Sequence, residues 1–410
     1  MAVANTGRVL RDLHHLRTMG AFKTGVHRPS LSEAHLASMA WLKGKLDALG
    51  HQAAIDGIGN VYGFAPGNGS KVLSGSHLES QNEAGWLDGP LGVVYALEAA
   101  RAVKEDPDLA GCGVDVAAWC DEEGHFGSFL GSRSAMGEVS EAEIDAARDR
   151  TTGTPMREAL RAAGYAGRAR EVLDPKRYVG FFEAHIEQGD WLDAHDLKLG
   201  VVTSIVGITQ YQLLVTGQQN HAGTTRMAIR RDAGLAAARL SVALHDCFAE
   251  HCGPRTVWTT GNIAFDPGAP SIIPGQAVML FQMRDTDPAV HTRLDGHLRR
   301  LVAEANAAGP CRIDVQVLRQ TTPAAMDVSF QAAIEAAAES HAPGKHTRLP
   351  SGAGHDAQIL AGHMPAAMLF VPSIGGISHH WTEDTSDANI MLGAEVYVDA
   401  AARMLRGPAS

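Results

Sequence analysis

Two residues in one stretch have the types and spacing needed to bind a divalent metal ion. His77 follows a short apolar run at residues 72–73 that is typical of a buried strand, and Asp88 lies just before Pro90, where a helix could begin. A His that leaves a strand and an Asp that enters a helix can converge above a sheet, where a neutral imidazole and a shared carboxylate suit a pair of metal ions. The alternative is that Asp88 caps the helix and His77 is an ordinary polar loop residue.

Two more predicted strands end in metal-binding residue types. An apolar strand at residues 114–120 is followed by three successive carboxylates at 121–123, and a second apolar strand at 178–184 ends in His185. Successive carboxylates repel one another unless cations lie nearby, and open α/β sheets bind ligands at the carboxyl ends of their strands. The alternatives are a solvated acidic turn and a structural histidine.

The candidates add up to a mixed nitrogen and oxygen ligand set. A further strand at residues 366–371 is followed by a loop with the last candidate, and the full set is His77, Asp88, Glu123, His185 and His379. One shared Asp, three His and one Glu suit Zn²⁺, Mn²⁺, Co²⁺ or Ni²⁺ far better than Mg²⁺. Glu122, adjacent to a ligand, is the natural general base for water activated there.

The elements that must position these residues indicate two domains. At 410 residues the chain is too long for one typical domain. Strands and helices alternate in residues 1–209 and 323–410, which we interpret as an α/β catalytic domain. Residues 210–322 instead follow a β-α-β-β-α-β order, which is typical of a ferredoxin-like α+β module. Nearer the N-terminus, Ser30–Glu33 matches a capping box for a helix that ends at Gly50.

Composition excludes several other classes of protein. The formal charge is −11 without any basic block, which argues against nucleic acid as a partner. The five cysteines form no close CxxC pair, which favours free thiols over disulfides or a cysteine-rich metal site. No signal-peptide core and no apolar run near the ~20 residues of a membrane span is present, so we expect a soluble, cytoplasmic protein without membrane contact.

Longer motifs run through nearly the whole chain in a fixed order. They are Gly-Ser-His77-Leu, Leu-Asp88-Gly, Asp-Glu122-Glu123-Gly, His185-Ile-Glu-Gln-Gly, Asn220-His-Ala-Gly-Thr-Thr-Arg-Met227, Pro267-Gly-Ala-Pro-Ser-Ile-Ile-Pro-Gly275, Ser351-Gly-Ala-Gly-His-Asp-Ala357 and Ile377-Ser-His-His-Trp-Thr-Glu383. In these motifs the chain resembles the M20 metallopeptidase superfamily. The resemblance is to its amidase/carbamoylase branch, which includes N-carbamoyl-L-amino-acid hydrolases, β-ureidopropionases and allantoate amidohydrolases.

The resemblance implies a two-domain M20-type dinuclear metallohydrolase. The five candidates above would bind two divalent ions (Zn, Mn, Co or Ni), with Asp88 bridging them, and Glu122 would be the catalytic acid/base. The inserted module would be a lid that also joins two copies in a homodimer. His221, from the lid and often from the partner subunit, would polarise the scissile carbonyl.

The same resemblance implies the residues around a small-molecule substrate. Arg284 matches the lid arginine that grips a substrate carboxylate, and a guanidinium does this bidentately. Ser271 is expected beside Arg284. The remaining assignments are Gly352, Gly354 and Gln188 for substrate binding, and Glu79 and Glu383 for support of the metal ligands.

Four residues depart from the pattern of the family near the expected pocket. Glu79 stands where relatives have Asp, and we expect its longer carboxylate still to hold the tautomer of His77. Ser271 replaces an Asn, Arg226 replaces a Pro, and His125 replaces Ser or Arg. None removes a ligand or the base, so these changes bear on the substrate and leave the reaction class intact.

The sequence therefore predicts a metal-dependent amidohydrolase. Its substrate would be a small carboxylate-bearing molecule with a linear amide or ureido C–N bond, such as an N-carbamoyl amino acid or ureido acid. An M20 aminoacylase or dipeptidase is the alternative within the same family. A non-catalytic binding protein on this fold is a third possibility, but such a protein would have no need of Glu122.

Overall fold

The computed structural model describes residues 2–407, which divide into two compact units. The first unit combines the chain up to Thr203 with the chain from Ala325 onward, and the second unit is the segment Ser204–Ala324. The sequence analysis placed the boundaries at 209/210 and 322/323. No helix within residues 2–407 is both long and apolar enough to cross a lipid bilayer.

The strands and helices of the described residues are given in chain order. The strands are β1 (Ala21–Phe22), β2 (Gly25–Val26), β3 (Gln52–Ile55), β4 (Val61–Phe64), β5 (Lys71–His77), β6 (Gly113–Trp119), β7 (Gly180–Ile186), β8 (Leu199–Ile205), β9 (Gly207–Thr216), β10 (Asn220–His221), β11 (Val257–Asp266), β12 (Ile272–Ile273), β13 (Gln276–Asp285), β14 (Arg312–Gln320), β15 (Ala324–Ala325), β16 (His346–Ser351) and β17 (Ala366–Val371). The helices are α1 (Thr6–Thr18), α2 (Glu33–Leu49), α3 (Pro90–Glu105), α4 (Leu130–Ala135), α5 (Glu141–Ala146), α6 (Met156–Ala162), α7 (Trp191–Ala194), α8 (Ala233–His251), α9 (Pro288–Ala308), α10 (Val328–His341), α11 (Asp356–Leu360) and α12 (Asp387–Arg406).

The first unit is built on a mixed sheet with a parallel centre. Its strand order is β15-β8-β17-β7-β5-β6-β4-β3, and β16 pairs with β8. The four central strands β17, β7, β5 and β6 are mutually parallel, and every residue in them is buried. Because parallel strands covered on both faces must be apolar throughout, their near-continuous hydrophobic runs fit this position. Their carboxyl ends therefore meet at one edge of the sheet.

Helix α3 lies close to the parallel strands because its first turn contains a glycine, Gly92, at the point of contact. Gly89 precedes the helix without any side-chain cap, and Pro90 occupies the first helical position. A Cβ atom on Gly92 would lie 2.3 Å from the carbonyl oxygen of Ala184 in β7. Glycine at this position therefore lets the start of α3 approach β7, which brings Asp88 to the same edge of the sheet.

The predicted capping box at the start of α2 is wrong by two residues. The helix begins at Glu33 with Ser32 as its cap, and the Ser32 side chain accepts a hydrogen bond from the backbone N–H of His35. Ser30 is buried and instead donates its hydroxyl to Oδ1 of Asp121 at 2.8 Å. The end of α2 is as predicted, with Gly50 in the left-handed conformation (φ 84°).

The second unit is an antiparallel sheet packed against two helices. Its four long strands have the order β11-β13-β9-β14, and β10 pairs with β12. Alternate residues of β9 and β13 form one apolar core with α8 and α9. The order β9-α8-β11-β13-α9-β14 is the β-α-β-β-α-β pattern read from the sequence. Its role as a lid stays a prediction.

Candidate metal centre

All five proposed metal ligands lie in the first unit, at the edge where the parallel strands end. His77 is the last residue of β5, and His185 is the penultimate residue of β7. Glu123 follows β6, His379 lies in the loop after β17, and Asp88 lies two residues before α3. The structure thus brings together residues that are about 300 positions apart in the sequence.

Asp88 contacts a histidine pair through one of its carboxylate oxygens. Its Oδ1 lies 3.0 Å from Nε2 of His185 and 3.5 Å from Nε2 of His77. All three residues are buried. These atoms form one group that is close enough to surround a single ion.

The other oxygen of Asp88 belongs to a second group. Its Oδ2 lies 3.3 Å from Nε2 of His379, and that nitrogen is 3.6 Å from Oε2 of Glu123. The side chain of His379 is 50% exposed, which makes this group the more accessible of the two. Asp88 is therefore shared between two ligand groups, one on each carboxylate oxygen.

The orientation of the histidine rings fits a cation at this place. Nδ1 of His77 lies 3.0 Å from the carbonyl oxygen of Glu79, and Nδ1 of His185 lies 2.8 Å from that of Ile186. Because a carbonyl only accepts, each Nδ1 carries a proton, so the Nε2 of a neutral ring is the atom left to coordinate an ion beside Asp88. Burial lowers the pKa of both rings, but the neighbouring carboxylates raise it above its usual value, so in the ion-free protein protons supply the positive charge that a divalent transition metal would supply when bound.

The electrostatics of the ion-free residues lead to the same conclusion. Burial disfavours a charged His379, but its hydrogen bond to Asp88 and the charges of Asp88 and Glu123 raise its pKa to about 9. Burial likewise opposes ionisation of Asp88, yet the neighbouring histidines, His185 first, hold the pKa of that carboxyl well below its usual range. Asp88 is therefore ionised, and its buried negative charge is stable only beside positive charge.

Glu79 supports the site in a way that the sequence did not predict. We expected its carboxylate to hold the ring of His77, but the backbone carbonyl of Glu79 does this, and the nearer carboxylate oxygen is 4.0 Å from Nδ1. The carboxylate instead accepts the backbone N–H of Glu122 at 2.6 Å and lies 3.4 Å from Nε2 of His35.

Glu122 lies beside the candidate metal ligand His77 and contacts Glu79 through its backbone. Its Oε2 lies 3.7 Å from Nε2 of His77. Burial raises the pKa of the Glu122 carboxyl well above its usual value; His77 opposes this shift, and the charge of Glu123 adds to it. A carboxyl that holds a proton readily at this position has the property that a general acid/base requires.

Two residues that the sequence analysis missed hold Glu123. Gln81 donates its backbone N–H to one carboxylate oxygen at 3.1 Å and its side-chain amide to the other at 2.7 Å. Arg150 donates to the backbone carbonyl of Glu123 at 3.2 Å and to the side chain of Gln81. Both residues lie in loops, where no periodicity indicates which way a polar side chain points.

Glu383 contacts the backbone next to Asp88 on the loop before α3. One carboxylate oxygen accepts the backbone N–H groups of Leu87 and Asp88 at 3.2 and 3.1 Å, and the other accepts the hydroxyl of Ser378 at 3.0 Å. Gly85 faces the same carboxylate so closely that a Cβ atom there would lie 1.8 Å from Oε1 of Glu383. The loop before α3 is therefore fixed to the loop that carries His379.

The remaining substrate-binding candidates of this unit border the centre. The Gln188 amide donates to Oδ2 of Asp88 at 2.8 Å and lies 3.4 Å from Nε2 of His379. Gly352 and Gly354 lie in the turn between β16 and α11, immediately before His355. The His355 ring packs against the ring of His185, with 4.6 Å between centroids. This turn is thus connected to the histidine pair.

In the second unit, His221 and Ser271 share one corner. Strands β10 and β12 pair His221 with Ile272, and the backbone N–H of Ala222 donates to the carbonyl of Ser271 at 2.9 Å. Nδ1 of His221 accepts the backbone N–H groups of Gly223 and Thr224, so its Nε2 is the atom left to donate. Both His221 and Ser271 are exposed.

The expectation that Ser271 lies beside Arg284 is wrong within one chain. Arg284 is eight residues beyond Gln276 on β13, which is roughly 27 Å at 3.4 Å per residue. The pair β10–β12 continues the ladder of β9 and β13 past Gln276, away from Arg284, because Thr216 pairs with Gln276 and Asn220 with Ile273. The error came from treating neighbours in a strand-and-turn motif as neighbours in space.

The parallel sheet carries a candidate metal site centred on one carboxylate, and comparisons with known proteins give the family to which the chain belongs. Residues 66–403 match the model of peptidase family M20/M25/M40, and the chain belongs to this family. It is 32% identical over 403 residues to an N-carbamoyl-L-amino-acid amidohydrolase of Paenarthrobacter aurescens, with 96% of each chain covered. It is 31% identical to the allantoate amidohydrolase of Escherichia coli, covering 90% of this chain and 91% of that one.

A solved structure extends the comparison to the fold. The chain superposes on a hydantoinase/carbamoylase-family amidase from Burkholderia phymatum with a TM-score of 0.88 and 44% identity over 98% of both chains. The family resemblance read from the sequence is therefore confirmed, together with the mixed α/β fold of the M20 type. The alternative in which Asp88 caps α3 is wrong, since Gly89 takes the cap position and Asp88 faces the histidines.

Proposed function

We propose that this protein cleaves the ureido or amide C–N bond of a small carboxylate-bearing molecule. The class of enzyme is shown by its relatives, which are amidohydrolases acting on linear, non-peptide C–N bonds. The observation that supports the proposal is the shared carboxylate of Asp88, with a ligand group on each oxygen and Glu122 alongside. The names of the relatives favour N-carbamoyl amino acids and related ureido acids as substrates.

The residues around Asp88 fit two divalent ions, of Zn, Mn, Co or Ni. His77 and His185 would hold one ion, His379 and Glu123 the other, and Asp88 both. When bound, such ions supply Lewis acidity, which polarises a carbonyl group and makes water a better nucleophile. Glu79, Gln81 and Glu383, by fixing the backbone or carboxylate of their neighbours, keep these side chains in place.

The proton transfers fall to Glu122. Its carboxylate takes the proton of the attacking water and later gives it to the leaving nitrogen. The contact of its backbone with Glu79 keeps Glu122 beside His77. Hydrolysis of a ureido substrate by this route releases carbamate, which decomposes to CO₂ and ammonia.

The second unit would supply the remaining contacts from two copies of the chain. Nε2 of His221 would donate to the developing oxyanion, and Arg284 would bind the substrate carboxylate. Arg284 lies roughly 27 Å along β13 from Gln276, and His221 lies in the β10–β12 pair beyond Gln276, so the two residues cannot contact one small substrate within a single chain. The proposal is that a homodimer pairs the His221 and Ser271 corner of one copy with the Arg284 of the other.

The test combines metal removal with a panel of substrates. Chelated protein should lose turnover, and Mn²⁺, Co²⁺, Ni²⁺ or Zn²⁺ should restore it, with about two ions per chain bound at the centre around Asp88. The panel should contain N-carbamoyl, N-formyl and N-acyl amino acids, ureido acids and dipeptides. Full activity in protein shown to be metal-free would refute the metal centre. Preference for N-acyl amino acids or dipeptides would favour the aminoacylase or dipeptidase alternative.

A further inference from the structure

A second place in the described residues brings metal-binding side chains together, far in sequence from the centre just described. Cys247 and His251 lie on α8, and His297 lies on α9. One ligand atom from each lies within 4.8 Å of the others. Within residues 2–407, three such groups exist; two surround Asp88, and this thiol–imidazole cluster is the third.

Helix geometry places the three side chains on one common surface. Cys247 and His251 are four residues apart, so they lie one above the other on the same face of α8. Helices α8 and α9 pack against each other, and the His251 and His297 rings are stacked with centroids 4.1 Å apart and an angle of 14° between planes. All three residues are half-buried, which leaves them open to an ion from solvent.

A cationic side chain already lies where the cluster converges. Nη2 of Arg300 is 3.7 Å from Sγ of Cys247 and 3.3 Å from Nδ1 of His297. Because a guanidinium group only donates, both atoms direct lone pairs toward one positive group. Nη1 of Arg300 also binds Glu304 at 2.7 Å, so the arginine keeps a partner if an ion displaces it from the cluster.

We propose that Cys247, His251 and His297 form a binding site for a thiophilic divalent ion of the Zn²⁺ type, distinct from the centre around Asp88. On binding, the Cys247 thiol releases its proton to solvent and the thiolate sulfur bonds to the ion. With two neutral imidazoles the site carries a net charge of +1 and keeps one open coordination position. A sulfur ligand excludes Mg²⁺ and Ca²⁺, which take oxygen donors.

The distances required are within reach of side-chain rotation. Zinc–sulfur bonds of about 2.3 Å and zinc–nitrogen bonds of about 2.0–2.1 Å need ligand atoms closer together than the present 4.8 Å limit. Because the three side chains are half-buried, they are less constrained by packing than core residues. An ion held by both helices would join α8 to α9 and stabilise the folded state by RT ln(1 + [M]/Kd), where [M] is the free ion concentration.

The experiment uses Co²⁺ as a spectroscopic probe of the full-length protein. Because the centre around Asp88 offers only nitrogen and oxygen, thiolate-to-cobalt charge-transfer absorption reports sulfur ligation alone. We expect this absorption in the wild type and in Cys252→Ser, and its loss in Cys247→Ser. Cys252 is the matched control, since it is a free, exposed thiol five residues away from Cys247. Elemental analysis should show one ion fewer per chain in Cys247→Ser.

Two further variants test the other parts of the site. His297→Ala should weaken Co²⁺ binding by more than the roughly 10- to 100-fold loss that removal of an outer-shell partner causes. Arg300→Gln should tighten it, because the competing guanidinium is gone. Absence of the charge-transfer band in the wild type, or its persistence in Cys247→Ser, overturns the proposal. A band that is lost equally in Cys252→Ser also overturns it.

Discussion

The proposed division of the substrate contacts between two copies gives a sharp prediction. Variants His221→Ala and Arg284→Ala should each be impaired as homodimers, but a mixture should recover activity. If each site takes His221 from one copy and Arg284 from the other, a hybrid dimer has one site with both substitutions and one site with neither. The prediction depends on the separation of the two residues: Arg284 lies at one end of the β9–β13 ladder, and His221 lies in the β10–β12 pair beyond the other end.

The size of the recovery follows from the interactions removed. Loss of a charge-assisted contact worth roughly 1.5–3 kcal/mol lowers kcat/KM about 10- to 150-fold in Arg284→Ala. Loss of an oxyanion donor in His221→Ala costs about 10²- to 10³-fold. Random exchange makes half of the dimers hybrid, each with one intact site of two, so the mixture should show about a quarter of the wild-type rate. A purified hybrid should show about half.

The assay is kcat/KM at limiting substrate, measured on hybrids purified through two different affinity tags. The matched control mixes wild type with the double variant that carries both lesions in one chain. Its hybrids should be impaired, because each site then has one lesion. Recovery near half the wild-type rate in this control, with none in the first hybrid, would show that both residues serve one site from one chain and refute the reasoning.

Three further predictions concern the metal centre. Glu122→Gln should keep its metal yet lose on the order of 10²–10⁴ in kcat, whereas Glu123→Ala should also lower metal content; normal turnover by Glu122→Gln would move the proton transfer elsewhere. Glu79→Ala should lower kcat more than metal occupancy, because the Glu79 carboxylate accepts the backbone N–H of Glu122 at 2.6 Å. Equal losses of kcat and metal would show that Glu79 supports the whole centre and not Glu122 in particular. Gly85→Ala should push Glu383 away, lowering the unfolding free energy by about 1–3 kcal/mol and reducing metal content, and an unchanged melting temperature would contradict this.

The placement of the metal ligands could be read from the sequence because strand ends are encoded locally. Apolar runs that stop at His77 and His185 indicate both the strand and the edge at which it ends. Parallel strands then bring those ends together without any knowledge of the loops. Asp88 followed from the same logic, since Pro90 marks the start of a helix.

The residues that hold the candidate ligands in place could not be predicted in the same way. The backbone conformation of residues 77–79 decides whether the carbonyl or the carboxylate of Glu79 contacts the ring of His77. The contact between Glu79 and His35 joins residues far apart in sequence, and so does the pairing of Gln81 with Glu123. The separation of Ser271 from Arg284, in contrast, follows from the length of β13, which places the two ends of one extended strand far apart.

The position of β17 in the first sheet also fixes the order in which the chain can complete its fold during synthesis. Strand β17 lies between β7 and β8, both of which are made earlier, while the whole second unit is made in between. At 5–20 residues per second, the ribosome leaves the inner edge of β7 unpaired for on the order of ten seconds. His77, Asp88 and His185 exist throughout that interval, but His379 does not. A nascent chain that stalls before Ala366 therefore presents an apolar, unpaired parallel edge, which is the kind of surface that chaperones bind and that aggregates when they do not.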